Sequence, residues 1–104
     1  MVRKLKITVL KVDFDEELCK EYGDPAIVPC PVHEVGQVMY VVDGKKPAEM
    51  CGGAWGSFEK YIFGLSHGLD RFQFQEWLGK DKVAIVTCSD GLRPVTFKIE
   101  VDED

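Results

Sequence analysis

The chain lacks the sequence patterns that mark the common enzyme classes. It contains no G-x-S-x-G, H-E-x-x-H, P-loop or G-x-G-x-x-G motif, so serine-hydrolase, metalloprotease and nucleotide-binding functions have no support. Its two histidines are not near a serine in any recognisable nucleophile arrangement. The sequence therefore leaves open whether the protein is an enzyme.

Positive charge and long apolar runs are also scarce. The 13 Lys and Arg residues against 18 Asp and Glu residues give a formal net charge of -5, which argues against nucleic acid as a partner. The longest charge-free apolar run is far below the roughly 20 residues that span a bilayer, so we expect no membrane partner. Lysines interrupt the apolar residues near the N-terminus and prevent the apolar core of a signal peptide. We therefore expect a cytoplasmic protein.

The composition that remains is ordinary for one small globular domain. A length of 104 residues leaves room for a single domain. Hydrophobic residues make up 45% and charged residues 30%, which excludes the composition of a disordered chain. We predict one domain over residues 1–104.

Four segments have β-strand patterns. They are residues 4–12, 37–43, 83–86 and 95–101. The first alternates apolar and polar residues, but the phase slips near Val9 and Leu10, which predicts a bulge. The third is continuously apolar, which is typical of a central strand buried on both faces. The last two would pair, with Cys88 at the end of the central strand.

Two segments have helix patterns. Apolar residues recur every three to four positions over residues 54–65 and the run ends at Gly68, which predicts the main helix. Asp13 followed by Glu16 resembles a capping box and predicts a short helix that ends at Gly23. Together the elements predict an α+β domain: a small, mainly antiparallel sheet of about four strands, with one main helix and one short helix packed on one face.

Three of the four cysteines, Cys30, Cys51 and Cys88, each adjoin a proline, a glycine pair or a turn sequence. In a reducing compartment such thiols are core residues, metal ligands or reactive groups rather than disulfides. Cys51 precedes the main helix, whose free N–H groups and dipole stabilise a thiolate. His33 follows Cys30 by three residues and would complete a ligand set that zinc accepts.

We therefore predict a cysteine-centred site that either binds zinc or another thiophilic metal or carries a reactive thiolate. The alternative is a binding or assembly module in which the cysteines are buried core residues. Aromatic residues are dense from Trp55 to Trp77, and any exposed ones would form a partner face, so a homo-oligomer is a second expectation.

A second candidate site is the turn between the last two strands. Asp90, Gly91 and Arg93 can form an anion pocket from backbone N–H groups and a guanidinium. The alternative is a hairpin turn in which Arg93 pairs with a surface carboxylate. A small-molecule pocket that joins Arg93 to Trp55 and Trp77 is a further hypothesis.

The segments around the three cysteines carry the motifs CPxxxxGQ, CxxAW and CxDGxRPVxF, which begin at Cys30, Cys51 and Cys88. As a set they resemble a conserved, uncharacterised family of small prokaryotic proteins of about ninety residues. The resemblance covers nearly the whole chain. The recurring cysteines of that family fall on these three positions, whereas Cys19 has no counterpart and His33 matches only some members. The resemblance therefore favours the three-cysteine group as a site and implies no particular activity.

Overall fold

Four strands and two α-helices make up the fold seen in the computed structural model, which describes residues 2–102 apart from the side chain of Phe74. In chain order they are β1 (Leu5–Val12), α1 (Glu16–Tyr22), β2 (Val38–Val41), α2 (Gly52–Ser66), β3 (Val83–Thr87) and β4 (Val95–Val101), with a 3₁₀ turn at Gln73–Gln75. The strands form one antiparallel sheet in the order β2-β1-β4-β3. The predicted α+β class and the four-stranded antiparallel sheet are confirmed. Among residues 2–102, no helix combines the length and apolar character needed to cross a bilayer.

The strand β1 contains the predicted bulge. Its register against β4 shifts between Val9 and Lys11. Because one extra residue is accommodated there, the side chains that follow change face. Lys11 is therefore exposed, although regular alternation after the buried Val9 would turn it inward, and Val12 packs against the core.

The strand β3 is an edge strand, although its apolar run predicted a central one. It pairs with β4, and β4 pairs on its other side with β1. Ala84 and Val86 are buried, but Ile85 is 37% exposed on the opposite face. A short apolar run does not reveal how many neighbours a strand has, and here the hairpin leaves β3 outside β4.

The helix α2 covers one face of the sheet, because its buried apolar residues recur at helical spacing. These residues are Ala54, Phe58, Ile62 and Leu65. The ring of Phe58 meets that of Phe97 on β4 edge to face, with centroids 4.9 Å apart. A Cβ atom on Gly64 would lie 2.9 Å from the ring of Phe72. The segment after the helix therefore packs closely against the helix at this glycine.

The helix α1 is capped by Asp15 rather than by the predicted Asp13. The Asp15 carboxylate accepts a hydrogen bond from the backbone N–H of Leu18 at 3.0 Å, and this satisfies a donor of the first turn. Cys19 is buried on this helix and its Sγ donates to the carbonyl of Leu92 at 3.5 Å. The short helix therefore rests against the loop between β3 and β4.

The sheet face opposite α2 carries the side chains of the other strand phase. The inner strands β1 and β4 present Lys6, Thr8, Lys98 and Glu100, and the outer strands present Val38, Tyr40 and Ile85. A polar stripe therefore separates the apolar residues of the two edges.

Candidate functional site

His33, which the sequence grouped with the cysteines, is only 5% exposed. Its Nε2 atom is 3.3 Å from the backbone nitrogen of Cys51, and its Nδ1 atom is 2.8 Å from Oε1 of Gln37. Because a backbone N–H only donates, Nε2 accepts, and the hydrogen is then on Nδ1, which donates to Gln37. The ring also meets Phe97 edge to face at 5.3 Å. A neutral histidine thus ties the proline-rich loop to both α2 and β4.

Cys51 is the N-cap residue of α2, and its side chain makes no capping hydrogen bond. Gly52 and Gly53 follow it, and the first turn contains no acidic residue. A Cβ atom built on Gly53 would lie 3.9 Å from the Cys51 Sγ. The half-buried thiol therefore lies close to the first-turn N–H groups and to the positive end of a 15-residue helix.

Cys88 follows β3 and extends its pairing with β4. Its N–H donates to the carbonyl of Val95 at 3.0 Å, and its Sγ accepts from the N–H of Val95 at 3.4 Å. The residue continues the phase of Val86, so its side chain is on the α2 side of the sheet. Phe97 lies two positions beyond Val95 on the same face of β4, and its ring contacts His33.

Cys30 lies three residues before His33 and packs, half-buried, against the core. A series of contacts leads from Cys88 through β4 to His33 and on to Cys51. His33 therefore contacts Cys51 directly and is linked to Cys88 only through β4, whereas Cys30 is related to His33 by its position in the chain.

In the part of the chain that the structure describes, the predicted ligands do not have the geometry of a metal centre. Among residues 2–102, no group of three or more His, Cys, Asp or Glu side chains is placed to hold a metal ion. Both ring nitrogens of His33 are engaged, one by Gln37 and one by Cys51, whereas a ligating imidazole needs a free nitrogen lone pair. The zinc interpretation gains no support from this arrangement.

Cys19, which the sequence motifs leave outside the three-cysteine group, contacts the loop between β3 and β4. Burial raises the pKa of its thiol, and the nearby carboxylates of Asp15 and Asp90 raise it further, against an opposing effect of Arg93. A thiol held in its protonated form is a poor nucleophile. Cys19 is therefore a packing residue beneath the hairpin loop.

The turn after Cys88 binds its own carboxylate. The Asp90 side chain accepts hydrogen bonds from the backbone N–H groups of Leu92 and Arg93 at 2.9 and 3.1 Å, and from the Arg93 Nε at 3.2 Å. These donors are the ones that a bound anion would need. The hairpin-turn interpretation of Asp90, Gly91 and Arg93 therefore describes this segment better than the anion pocket does.

The hydrogen bonds of Asp90 should make the stability of the folded protein depend on pH in the acidic range. The Leu92 N–H, followed by the Arg93 contacts, lowers the pKa of this carboxyl below its ordinary 3.8. Because the folded state holds this proton less tightly than the unfolded state, the stabilisation is complete above the ordinary value and disappears as the pH falls through the lower folded value.

We expect Asp90→Asn to reduce the free energy of unfolding by roughly 0.5–1 kcal/mol at pH 7, since the carboxylate is partly screened by solvent. The difference from the unmodified protein should shrink as the pH falls below 3.8 and vanish once Asp90 is protonated in the folded state as well. Urea denaturation at a series of pH values measures both quantities. A difference that is independent of pH would contradict the assigned contacts.

The two tryptophans of the third hypothesis occupy different surroundings. Trp55 lies half-buried in α2, whereas Trp77 is 78% exposed. Among the described residues, the cavity that Trp55 lines includes neither Trp77 nor Arg93. The cavity beside Trp55 is therefore not the predicted pocket that joins Trp55, Trp77 and Arg93.

Comparison of the chain with known protein families, with curated proteins and with solved structures found no match. The resemblance of the cysteine motifs to a small prokaryotic family stays a prediction. Function therefore has to be argued from the site itself.

Sequence reasoning missed the cavity along α2. Besides Trp55, its wall includes Asp43, Glu59, Ser66 and His67. The signal was present as the spacing of Trp55, Glu59 and Ser66, which puts all three on one face of a helix. The contribution of Asp43 depends on the β2 turn, and helix periodicity does not contain that information.

Proposed function

We propose that the protein acts through a reactive thiol, Cys51, with Cys30 and Cys88 as neighbouring thiols. The observation that carries the proposal is the place of Cys51 immediately before a 15-residue helix, with its Sγ beside Gly53. Free first-turn N–H groups and the helix dipole stabilise a thiolate at such a position. The first turn has no carboxylate that would oppose this effect.

His33 supports the proposal by what it binds. Its Nε2 accepts from the backbone N–H of Cys51, so the main chain is held in place while the sulfur is left available. Gln37 orients the imidazole from the other side. A thiol on a fixed backbone at a helix N-terminus has a defined direction of attack.

The reaction that suits this arrangement is thiol–disulfide exchange with a small-molecule disulfide. The Cys51 thiolate attacks one sulfur of the disulfide and forms a new S–S bond to it. The original S–S bond breaks, and the second sulfur departs as a thiolate that takes up a proton. The products are a mixed disulfide on the protein and one free small-molecule thiol.

The alternative function is a binding or assembly module in which the cysteines serve only as packing residues. In its favour, Cys30, Cys51 and Cys88 all pack partly against the core. Self-association through the open sheet face has less support, because stacking two such faces would bury Lys6 and Glu100 along the polar stripe. The thiol function is therefore the better conclusion.

Competitive labelling of the folded protein tests the thiol proposal. A brief exposure to a limiting amount of iodoacetamide, followed by unfolding and complete labelling with an isotopically heavy reagent, gives the modified fraction of each cysteine by peptide mass spectrometry. We expect Cys51 to react at least about tenfold faster than Cys19 and faster than Cys30 or Cys88. Oxidised glutathione should then form its first mixed disulfide at Cys51.

The matched variants are Cys51→Ser and Cys19→Ser. Serine is a preferred N-cap residue, so Cys51→Ser should retain the helix while it removes the fast-reacting fraction. Cys19→Ser should leave that fraction unchanged. If Cys51 in the folded protein reacts no faster than it does in urea, the proposal is wrong, and the oligomeric mass from native mass spectrometry becomes the observation to pursue.

A further inference from the structure

A cavity of about 310 Å³ lies between α2 and the turn that follows β2. The turn contributes Asp43 and Gly44 to the lining of the cavity, and these residues adopt positive φ angles of 54° and 71°. The helix contributes Glu59 and Ser66 from the same face. The volume is at the lower end of the range for small-molecule sites, so the occupant is smaller than a nucleotide.

The polar groups of this cavity are mainly hydrogen-bond acceptors. Asp43 and Glu59 are carboxylates that have no ion-pair partner among residues 2–102. The Nδ1 atom of His67 is 2.9 Å from the carbonyl oxygen of Phe63. Since a carbonyl only accepts, that nitrogen carries the hydrogen. Among the described lining residues, none is Lys or Arg.

A buried hydroxyl in the wall provides an independent sign of a missing partner. Ser66 is fully buried, and its Oγ has no hydrogen-bond partner among residues 2–102. Serine hydroxyls buried in this way are normally paired, and each exception needs an explanation. The residue belongs to the wall of this cavity, so the unpaired hydroxyl lies directly behind the cavity surface.

The remaining wall of the cavity is aromatic and apolar. Trp55 and Ile62 line it together with Phe63, and the Phe63 ring stacks on His67 with centroids 4.3 Å apart. Phe63 is 67% exposed, which leaves an aromatic surface at the mouth of the cavity. Aromatic faces attract organic cations, and tryptophan does so most strongly.

We propose that this cavity binds a small organic cation: a primary ammonium group attached to an aromatic or similarly sized apolar body. The ammonium group would donate to Asp43 and Glu59, while its apolar body would rest on Trp55. The two carboxylates, in a wall that contains no Lys or Arg among the described lining residues, complement the charge and the N–H donors of a primary ammonium. This site is distinct from the cysteine region and does not depend on the thiol proposal.

Titration with 2-phenylethylamine, followed by ¹H–¹⁵N correlation spectra at pH 7.5, tests the proposal. The matched probes are 2-phenylethanol, which keeps the ring without the charge, and 3-phenylpropionate, which reverses the charge. We expect the amine to shift the signals of Gly44, Glu59 and the Trp55 indole along saturating curves in the millimolar range. The alcohol and the carboxylate should bind at least about tenfold more weakly. The exposed Trp77 indole should not move.

The double variant Asp43→Asn, Glu59→Gln should weaken amine binding by about tenfold or more. Asparagine tolerates the positive φ at position 43, so the turn is preserved. Glu21→Gln, on the exposed surface of α1, is the matched control and should bind the amine as the unmodified protein does. Equal binding of amine and alcohol would overturn the proposal, as would equal loss in both variants or shifts that do not saturate.

Discussion

Phe97→Ala is expected to lower the free energy of unfolding by about 3–5 kcal/mol. The ring is fully buried and meets two others, Phe58 from α2 and His33 from the loop. Truncation would therefore remove the contact that holds the helix on the sheet and leave a cavity at the same point. Domains of this size are stable by only about 5–15 kcal/mol in total, so the loss is a large share.

Urea denaturation monitored by circular dichroism measures this effect from the transition midpoint at constant slope. Phe63→Ala is the matched control, because it removes the same atoms from a ring that is 67% exposed on α2. It should change stability by no more than about 0.5 kcal/mol. Phe97→Leu keeps part of the volume, and it provides a measurable intermediate if Phe97→Ala does not fold. Similar losses at positions 97 and 63 would contradict the described core.

His33→Asn is expected to destabilise the protein by about 1–3 kcal/mol, because the N–H of Cys51 would lose its acceptor in a half-buried place. Asparagine can replace Nδ1 and its contact with Gln37 but does not reach as far as Nε2. His33→Gln can place an oxygen near the Nε2 position and should recover part of the loss. The comparison therefore isolates one hydrogen bond of the candidate site.

Hydrogen exchange at the Cys51 amide distinguishes this contact from a general loss of stability. The amide should exchange faster in His33→Asn than in His33→Gln, whereas amides in the middle of β4 should change only in proportion to global stability. If the Cys51 amide exchanges equally in both variants, Nε2 is not its acceptor. The tautomer assigned to His33 would then be wrong.

Much of the fold could be predicted because its elements have local patterns. The spacing of apolar residues over 54–65 gave the position of α2 to within a few residues, and the phase slip near Leu10 located the bulge of β1. Both patterns depend only on which residues face the core within one element. The predicted helix cap, Asp13, was wrong: Asp13 and Asp15 are chemically equivalent in the sequence, and the folded chain uses Asp15.

The strand order could not be obtained in the same way. The apolar run at 83–86 was consistent with a central strand, but β3 pairs with β4 and lies at the edge. Side-chain pattern reports how far a residue is buried, whereas the number of paired neighbours depends on where distant strands are placed. The exposure of Ile85 is the visible consequence.

The candidate site was likewise predicted only in part. Sequence context singled out Cys51 because the residues that follow it begin a helix. It also grouped His33 with Cys30 as ligands, but the folded chain uses both imidazole nitrogens for Gln37 and for the Cys51 backbone. A histidine has the same identity in sequence whether it binds a metal or a main-chain N–H, so spacing alone does not separate the two.

The sequence by itself determined the α+β class, the main helix and the phase slip of β1, because these depend on periodicities within short segments. Only the tertiary structure decided that β3 is an edge strand, that His33 binds the Cys51 main chain, and that Asp90 occupies its own turn. It also decided that Asp43 and Glu59 share one cavity. The physical reason is that each of these depends on distances between residues far apart in the chain, and those distances are set when the helix packs on the sheet.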